Sequence, residues 1–207
     1  MVIKDFNKLL LNYSQVPDDE QRKAIEAQIW DRYGTEKTVL ILDMSGFSLL
    51  SERYGIVHYL SMVRRMQMTS RPIVKNFGGV FIKFEADNCF AAFDKPLSAV
   101  RTAIALNLAF DAANILTPDE LDIRISCGID HGRVLIIDER DFFGNAVNRA
   151  SKLGEDIARP GDILISRDAM DMIPSEAGIK YAPVRFKISG IEIPCCTVTY
   201  RHSKDYV

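Results

Sequence analysis

From residue 36 onward, strand-like and helix-like segments alternate, and their order constrains the fold more than any other feature. KTVLILDM is predicted to be a strand, and residues 47–77 continue with helical periodicity and one or two interruptions. GGVFIKFEADNCFAAF then predicts two strands joined by a tight bend, PLSAVRTAIALNLAFDAANIL a long amphipathic helix, and DIRISCGIDHGRVLII another strand pair. The order strand, helix, strand, strand, helix, strand indicates an α+β fold of the ferredoxin-like (split βαβ) type, with an antiparallel-containing sheet and helices on one face.

The remaining segments add elements to both ends of this core. GNAVNRASKLGEDI predicts a helix, DILIS a short strand, SRDAMDMI a short helix, and VRFKISGIEIPCCTVTY a closing hairpin. Upstream, apolar residues at helical spacing and a terminal Gly34 predict one amphipathic helix over residues 19–34. The chain is therefore divided into an N-terminal helical extension, residues 1–35, and a main domain, residues 36–207.

Composition excludes several classes of partner. With 28 acidic against 26 basic residues, the formal net charge is −2, which gives no electrostatic case for nucleic acid or an anionic membrane. No apolar run approaches membrane-spanning length, and the start MVIKDFNKLL is too polar for a secretory signal. The four cysteines have no CxxC spacing and are typical of reduced thiols, so we expect a cytoplasmic protein.

A carboxylate ends the first predicted strand, TVLILDMSGFS, where an unpaired charge is costly. Asp87 lies at the bend of the following strand pair, and the first strand and this hairpin are neighbours in a split βαβ sheet. Asp43 and Asp87 can therefore face one point, and two carboxylates that close repel each other unless a cation lies between them. A hard ion such as Mg²⁺ or Mn²⁺ fits, whereas a simple helix cap is the alternative for Asp43.

Two further segments suit a phosphorylated ligand. MSGFSLL leads into a helix N-terminus, whose free N–H groups and positive dipole favour an anion such as a triphosphate. RDFFGNAVNRASKLGED contains Asp141, a glycine turn, and a helix on which Asn148 and Lys152 are four residues apart and share one face.

Together these segments resemble the class III nucleotidyl cyclases, the adenylate and guanylate cyclase catalytic domains. DMSGFS is similar to the family's first metal segment, GGVFIKFEADNCFAAF to its second, and DFFGNAVNRASK to its third. The three occur in the family's order, and the resemblance extends over roughly residues 37–200.

The resemblance implies a role for each matching residue. Asp43 and Asp87 would be the metal pair, with the backbone carbonyl of Met44 as a further ligand, and two Mg²⁺ or Mn²⁺ ions would hold the triphosphate. The β- and γ-phosphates would be bound by the Ser48 hydroxyl and by the backbone N–H groups of Ser45, Gly46, Phe47 and Ser48. Asn148 would contact the ribose, Lys152 the α-phosphate, and Lys187 the remaining phosphate charge.

Base choice follows from counting donors and acceptors. In the family's base-reading positions this chain has Lys83, which only donates, and Asp141, which only accepts when ionised. Adenine complements that pair through its N1 acceptor and N6 amino donor, whereas guanine presents the opposite pattern. We therefore expect ATP to be converted to 3′,5′-cyclic AMP and pyrophosphate. Cytosine offers the same order of groups as adenine, so CTP stays open alongside GTP.

Three departures from the family pattern leave a second function open. The family's arginine is Lys152, which keeps the charge but lacks the planar fork, and its glycine before the second aspartate is Ala86. Ser189 stands where the family often has a phosphate-binding lysine, and Lys187 could replace it because residues two apart share a strand face. Arg149 is expected on another face of its helix. The alternative is therefore a weakly active or inactive cyclase-homology domain that binds nucleotide and regulates a partner.

In this family the site forms between two subunits, and this chain carries both halves. The resemblance thus implies a head-to-tail homodimer with two symmetric sites. The helix over residues 19–34 and the methionine-rich SMVRRMQM are candidates for the interface, although methionines at helical spacing are also typical of a core. An RNA-binding sheet of similar topology is disfavoured because the central hairpin carries acidic residues.

Overall fold

A computed structural model of the chain describes residues 2–188 and 191–200. The strands are β1 (Gly34–Met44), β2 (Val80–Glu85), β3 (Asn88–Phe93), β4 (Ile125–Ile137), β5 (Asp141–Phe143), β6 (Ile163–Ser166), β7 (Lys180–Ile188) and β8 (Ile191–Thr199). The α-helices are α1 (Val2–Gln15), α2 (Asp19–Tyr33), α3 (Phe47–Tyr54), α4 (Ile56–Asn76), α5 (Pro96–Asn114), α6 (Asn145–Ser151) and α7 (Arg167–Asp171). A π-helical turn (Lys152–Ile157) continues α6, and short 3₁₀ turns occupy Asp119–Leu121 and Ser175–Ala177.

These strands form one sheet in the order β2–β3–β1–β4–β6–β8–β7, with β5 paired to β4. Every neighbouring pair is antiparallel except β4 and β6, which are parallel. The predicted α+β fold with an antiparallel-containing sheet is confirmed. The apolar run of β1 is explained by its central position, since both of its faces are covered.

Helices cover both faces of the sheet, whereas the sequence led us to expect them on one. Leu40, Leu42 and Met44 of β1 pack with residues of α4 and α5 in the main core. Val39 and Ile41 point to the opposite face and pack beneath α6. The expectation of helices on one face is therefore incomplete, because the segment that carries Asn148 and Lys152 lies on the other face.

The strand β4 is a single element of 13 residues, so the prediction of a strand pair over DIRISCGIDHGRVLII is wrong. Its internal glycines do not make a turn, because β1 pairs with β4 continuously from Gly34 to Met44. One of them permits a close approach instead. A Cβ on Gly128 would lie 2.0 Å from the carbonyl oxygen of Ala150 and 2.4 Å from the amide nitrogen of Gly154. The backbone of α6 and its π-helical turn therefore rests directly on β4.

Two N-terminal helices are present where the sequence predicted one. The predicted helix corresponds to α2, which begins with the Asp18 side chain accepting a hydrogen bond from the Gln21 amide, and α1 precedes it. Both pack at the Ile137 end of β4 in a small cluster that includes buried Phe6 and Ile29. The Phe6 ring also stacks on Phe143 of β5, with centroids 6.2 Å apart.

Two further expectations concern α4 and the membrane. Met62 and Met66 of the methionine-rich segment are fully buried in the core of their own subunit, whereas Met68 is exposed. Most of this segment therefore belongs to the core.

Among the described residues, no helix combines the length and the apolar character that a membrane span requires.

Candidate active site

The sheet brings the two predicted metal-site carboxylates together. In the ladder between β1 and β3, Asp43 lies opposite Asn88, the residue that follows Asp87. The Met44 amide donates a hydrogen bond to the Asp87 carbonyl oxygen at 3.3 Å, which fixes the hairpin bend against the end of β1. Ala86 makes this bend at φ +51°, in the left-handed region where the family's glycine carries no Cβ penalty.

The electrostatics of this pair are dominated by unneutralised negative charge. Burial, followed by the nearby carboxylates of Asp87 and Glu155, raises the pKa of Asp43 from 3.8 to about 7. In the described part of the chain, no lysine, arginine or histidine forms an ion pair with Asp43 or Asp87. Two adjacent carboxylates without an internal cation are the ligand type that hard divalent ions take. The Met44 side chain is buried in the core, so its backbone carbonyl is the part left to bind an ion.

Sequence reasoning missed two residues beside this pair. Glu155 lies in the π-helical turn, and burial together with acidic neighbours including Asp87 raises its pKa. Tyr59 of α4 interacts with Asp87, and burial followed by this carboxylate raises the pKa of the phenol. Glu155 was within reach of a sequence argument because it follows Lys152 by three residues. Nothing in the spacing of α4 singles out Tyr59.

The loop after β1 is arranged in part as expected. Gly46 adopts φ +93° and precedes α3, so the predicted helix N-terminus is present. The Ser45 amide donates instead to the carbonyl oxygen of Arg124 at 2.9 Å, so its expected contribution to phosphate binding is wrong. The amides of Gly46, Phe47 and Ser48 remain the candidates. The side chains of Phe47 and Ser48 lie outside the described residues.

The predicted base-reading residues are in contact. Lys83 of β2 and Asp141 of β5 form an ion pair of 3.2 Å. Lys83 also pairs with Glu85 at 2.8 Å, and its ammonium group lies 5.2 Å from the centroid of the Phe90 ring. Both members of the predicted pair are about two thirds shielded from solvent, with side-chain exposures of 30% and 35%. Their donor and acceptor groups therefore lie side by side at the surface of the sheet.

The helix α6 and the turn after it present the third group of predicted residues. Asn148 and Lys152 line one cleft of about 400 Å³ between this helix and β8. Arg149 lines the same cleft, so the expectation that it points elsewhere is wrong. The backbone of Lys187 lies in β7 opposite Glu192, but its side chain, like Ser189, lies outside the described residues.

Comparison with known proteins gives the same family. Residues 32–189 match the model of the adenylate and guanylate cyclase catalytic domain. A Rhizobium meliloti (strain 1021) protein named "Putative adenylate cyclase 3" is 28% identical over 157 residues, which are 75% of this chain and 26% of that protein. The chain thus spans about a quarter of the length of this relative.

Solved structures share the fold. The adenylyl cyclase CyaB from P. aeruginosa superposes with a TM-score of 0.69 at 22% identity, covering 82% of this chain and 97% of that one. The guanylyl cyclase Cya2 superposes with a TM-score of 0.69 at 17% identity, covering 80% and 92%, respectively. The family match covers more than half of the sequence and includes all three segments of the site. The chain therefore belongs to the class III adenylate and guanylate cyclase catalytic domain family.

Proposed function

We propose that the chain is an adenylate cyclase that converts ATP to 3′,5′-cyclic AMP and pyrophosphate. The observation that carries this proposal is the adjacency of Asp43 and Asp87 without an internal cation. A partly buried pair of like charges is retained at a cost to the free energy of unfolding, which favours a functional role over a structural one.

In this proposal the chain's own residues hold and orient the triphosphate. Asp43 and Asp87, with the Met44 carbonyl, would bind two Mg²⁺ or Mn²⁺ ions, which when present neutralise phosphate charge and lower the pKa of the ribose 3′-hydroxyl. The N-terminus of α3 would bind the β- and γ-phosphates through backbone amides, including that of Gly46. The side chain of Lys187 would add a further cation to the triphosphate.

The reaction itself is an in-line displacement at the α-phosphorus. The 3′-oxygen forms the new O–P bond, the bond from the α-phosphorus to the bridging oxygen breaks, pyrophosphate leaves, and the hydroxyl proton passes to solvent. Asn148 would hold the ribose so that the 3′-oxygen faces the phosphorus. Lys152 would stabilise the charge that develops on the α-phosphate oxygens.

The contact between Lys83 and Asp141 supports ATP as the substrate. Lys83 can donate to adenine N1 while Asp141 accepts from the N6 amino group, and the 3.2 Å ion pair places the two groups at neighbouring positions. Guanine would meet two mismatched contacts. Because cytosine presents the same order of groups, CTP is the nucleotide against which selectivity has to be measured.

The proposed enzyme is a head-to-tail homodimer with two equivalent sites. This part of the proposal rests on the family resemblance, in which one subunit supplies the metal pair and the other the base-reading and ribose-binding residues. The polar face of α6 and its π-helical turn, with Asn148 and Lys152, is exposed and available to a partner subunit.

A weakly active domain that regulates a partner is the second candidate function. Lys152 in place of the family's arginine favours it, because lysine cannot form the bidentate contact with a phosphate. The nucleotide panel described next distinguishes the two candidate functions.

The test is a panel of ATP, GTP, CTP and UTP, each with Mg²⁺ and with Mn²⁺, and with products identified by mass. We expect cyclic AMP and pyrophosphate from ATP, and loss of this activity in Asp43→Ala and Asp87→Ala without loss of the circular dichroism of the folded chain. Asp119→Ala, an exposed carboxylate far from the site in sequence, is the matched control. Parent-like turnover in both site variants would contradict the metal assignment, and no turnover with any nucleotide would favour the regulatory function.

A further inference from the structure

We propose that Arg149 binds the polyphosphate of the substrate and is held in place for this by the buried carboxylate of Asp130. The inference rests on the proposed function, since the ligand it assigns is the triphosphate or pyrophosphate of the cyclase reaction. Arg149 would supply the planar pair of donors that Lys152 lacks.

The first observation is a buried network behind the guanidinium group. Asp130 of β4 is completely buried, and one of its oxygens accepts a 2.5 Å hydrogen bond from the Ser166 hydroxyl. Its other oxygen accepts from Nε of Arg149, also at 2.5 Å. A carboxylate without solvent requires such partners, because an unpaired buried charge is strongly destabilising. The Nε end of the guanidinium group is therefore anchored to a buried and itself hydrogen-bonded carboxylate.

The second observation is that the terminal nitrogens of the guanidinium group are not used by the contact with Asp130. Arginine has five N–H donors, and only the one on Nε is committed to Asp130. Among the described residues, no acceptor is bonded to Nη1 or Nη2, and 44% of the side chain is exposed. The two terminal nitrogens thus form a preorganised pair of donors at the surface.

The third observation is that Arg149 shares a cleft with the predicted substrate residues Asn148 and Lys152. Asn145, Asn148, Arg149 and Lys152 follow the i, i+3, i+4, i+7 spacing of one helix face, and all four line the cleft of about 400 Å³. The cleft is closed on the other side by residues of β6, α7 and β8: Ser166, Asp168, Ile193 and Pro194. The two residues to which the family resemblance gives a substrate role therefore share a wall with Arg149.

The charges of this cleft indicate how Arg149 acts. Asp130 offsets the guanidinium charge from behind, and Asp168 brings a second carboxylate to the cleft wall. Arg149 therefore contributes directed hydrogen bonds to two non-bridging oxygens of one phosphate, while Lys152 contributes the compensating point charge. Asp130 and Ser166 are positioning residues in this arrangement, because they act only through Arg149.

The experiment measures pyrophosphate binding to the full chain by titration calorimetry with Mg²⁺ present, so it does not depend on turnover. We expect Arg149→Gln to weaken binding about 10- to 100-fold, as for loss of hydrogen bonds to a charged group, and Arg149→Lys to weaken it less. Arg101→Gln removes an exposed arginine from α5, which packs on the opposite face of the sheet, and should bind as the parent does. Binding by Arg149→Gln within twofold of the parent, or no binding by the parent, would overturn the proposal.

A second variant tests the positioning role of Asp130. Asp130→Asn keeps the shape of the side chain but weakens the link to Arg149, and we expect it to reproduce the binding loss of Arg149→Gln in part. In a double variant with Arg149→Gln the two losses should not add, because they act on one contact. If Asp130→Asn fails to fold, the Arg149 series alone decides. A chain that binds pyrophosphate through Arg149 but cyclises no nucleotide would contradict the cyclase proposal and leave the phosphate site standing.

Discussion

Asp43 occupies an environment that penalises its ionised form. Burial is the larger cause of its raised pKa, and the carboxylates of Asp87 and Glu155 add to it. Because the folded-state pKa of about 7 lies above the ordinary 3.8, the folded chain binds this proton more tightly than the unfolded chain. The ionised Asp43 therefore lowers the free energy of unfolding, by its full amount above pH 7. This loss of stability disappears as the pH falls through the folded-state pKa towards 4.

We therefore expect Asp43→Asn to raise the Tm of the metal-free protein by a few degrees at pH 8, and the gain to shrink steadily towards pH 4. The effect is modest because the side chain is only partly buried, so solvent screens its charge. Thermal unfolding from pH 4 to 8 with a chelator present measures it. Asp119→Asn should show no such pH dependence, and a gain in Asp43→Asn that stays constant across this range would contradict the assignment. Added Mg²⁺ should stabilise the parent and Asp119→Asn, and should have little effect on Asp43→Asn.

Lys152 is the second residue whose chemistry can be tested directly. Lys152→Ala removes a preorganised cation from the proposed transition state and should lower kcat about 100-fold. Lys152→Arg should raise kcat above the parent value, because the guanidinium group can contact two phosphate oxygens at once.

Steady-state kinetics with ATP check both changes, and Lys75→Ala on the exposed end of α4 is the control. An unchanged or lower rate in Lys152→Arg would indicate that the cleft has been rebuilt around lysine. The fixed guanidinium of Arg149 in the same cleft gives a physical reason for such a result.

At the scale of elements, sequence reasoning was most accurate where local pattern and chemistry agree. The strand β1 with its terminal Asp43, and the hairpin with Asp87 at its bend, could be predicted because apolar periodicity and the placement of an acidic residue point to the same arrangement. The strand β4 could not. Its glycines and polar residues are typical of a turn, yet the hydrogen bonds to β1 keep the backbone extended from Ile125 to Ile137.

Contacts between remote segments explain why the position of Arg149 and the helix α1 could not be predicted from the sequence. Arg149 was expected to lie away from Asn148 and Lys152, because only the four-residue spacing was considered. The side chain is instead directed by Asp130, which is 19 residues earlier in the chain and on a different element. Helix α1 was missed as well, since its few buried residues pack against partners on α2, β4 and β5 that lie far away in the sequence.

The close approach of β4 to α6 yields a prediction for Gly128. Gly128→Ala would place a Cβ 2.0 Å from the Ala150 oxygen and 2.4 Å from the Gly154 nitrogen, both backbone atoms that cannot rotate away. We expect a loss of about 1–3 kcal/mol in the free energy of unfolding, as for overpacking in a core. Because α6 would be displaced, kcat should fall as well.

Urea unfolding and cyclase assays on the same samples measure the two effects. Gly132→Ala on the same strand is the matched control, because its Cβ would meet only the Ala146 Cβ at an ordinary 3.6 Å. Equal stability of the two variants would mean that the contact between β4 and α6 yields more readily than its backbone geometry implies.

At the scale of the whole molecule, the proposed homodimer can be tested by complementation. Asp43→Ala and Asn148→Ala would each inactivate both sites of their own dimers. In a mixed dimer one site would carry both substitutions and the other neither, so an equimolar mixture that exchanges subunits should recover about a quarter of the parent activity.

The mixture is assayed after incubation that permits exchange, with each variant alone as the control. A mixture no more active than the separate variants would indicate that both groups of residues act within one subunit. The recovered activity should also fall on dilution below the dimer dissociation constant, because no single chain would hold a complete site.

The contact between α1 and β5 connects the N-terminal helices to the strand that contains Asp141. Phe6 packs edge-on against Tyr33 of α2 and face-to-face against Phe143, and Asp141 is only two residues from Phe143 in the same short strand. A force that rotates α1 would therefore pull on the carboxylate proposed to recognise the purine edge. If the proposed base recognition holds, a signal delivered through α1 would change the discrimination between nucleobases before it reached the end of the sheet that carries Asp43.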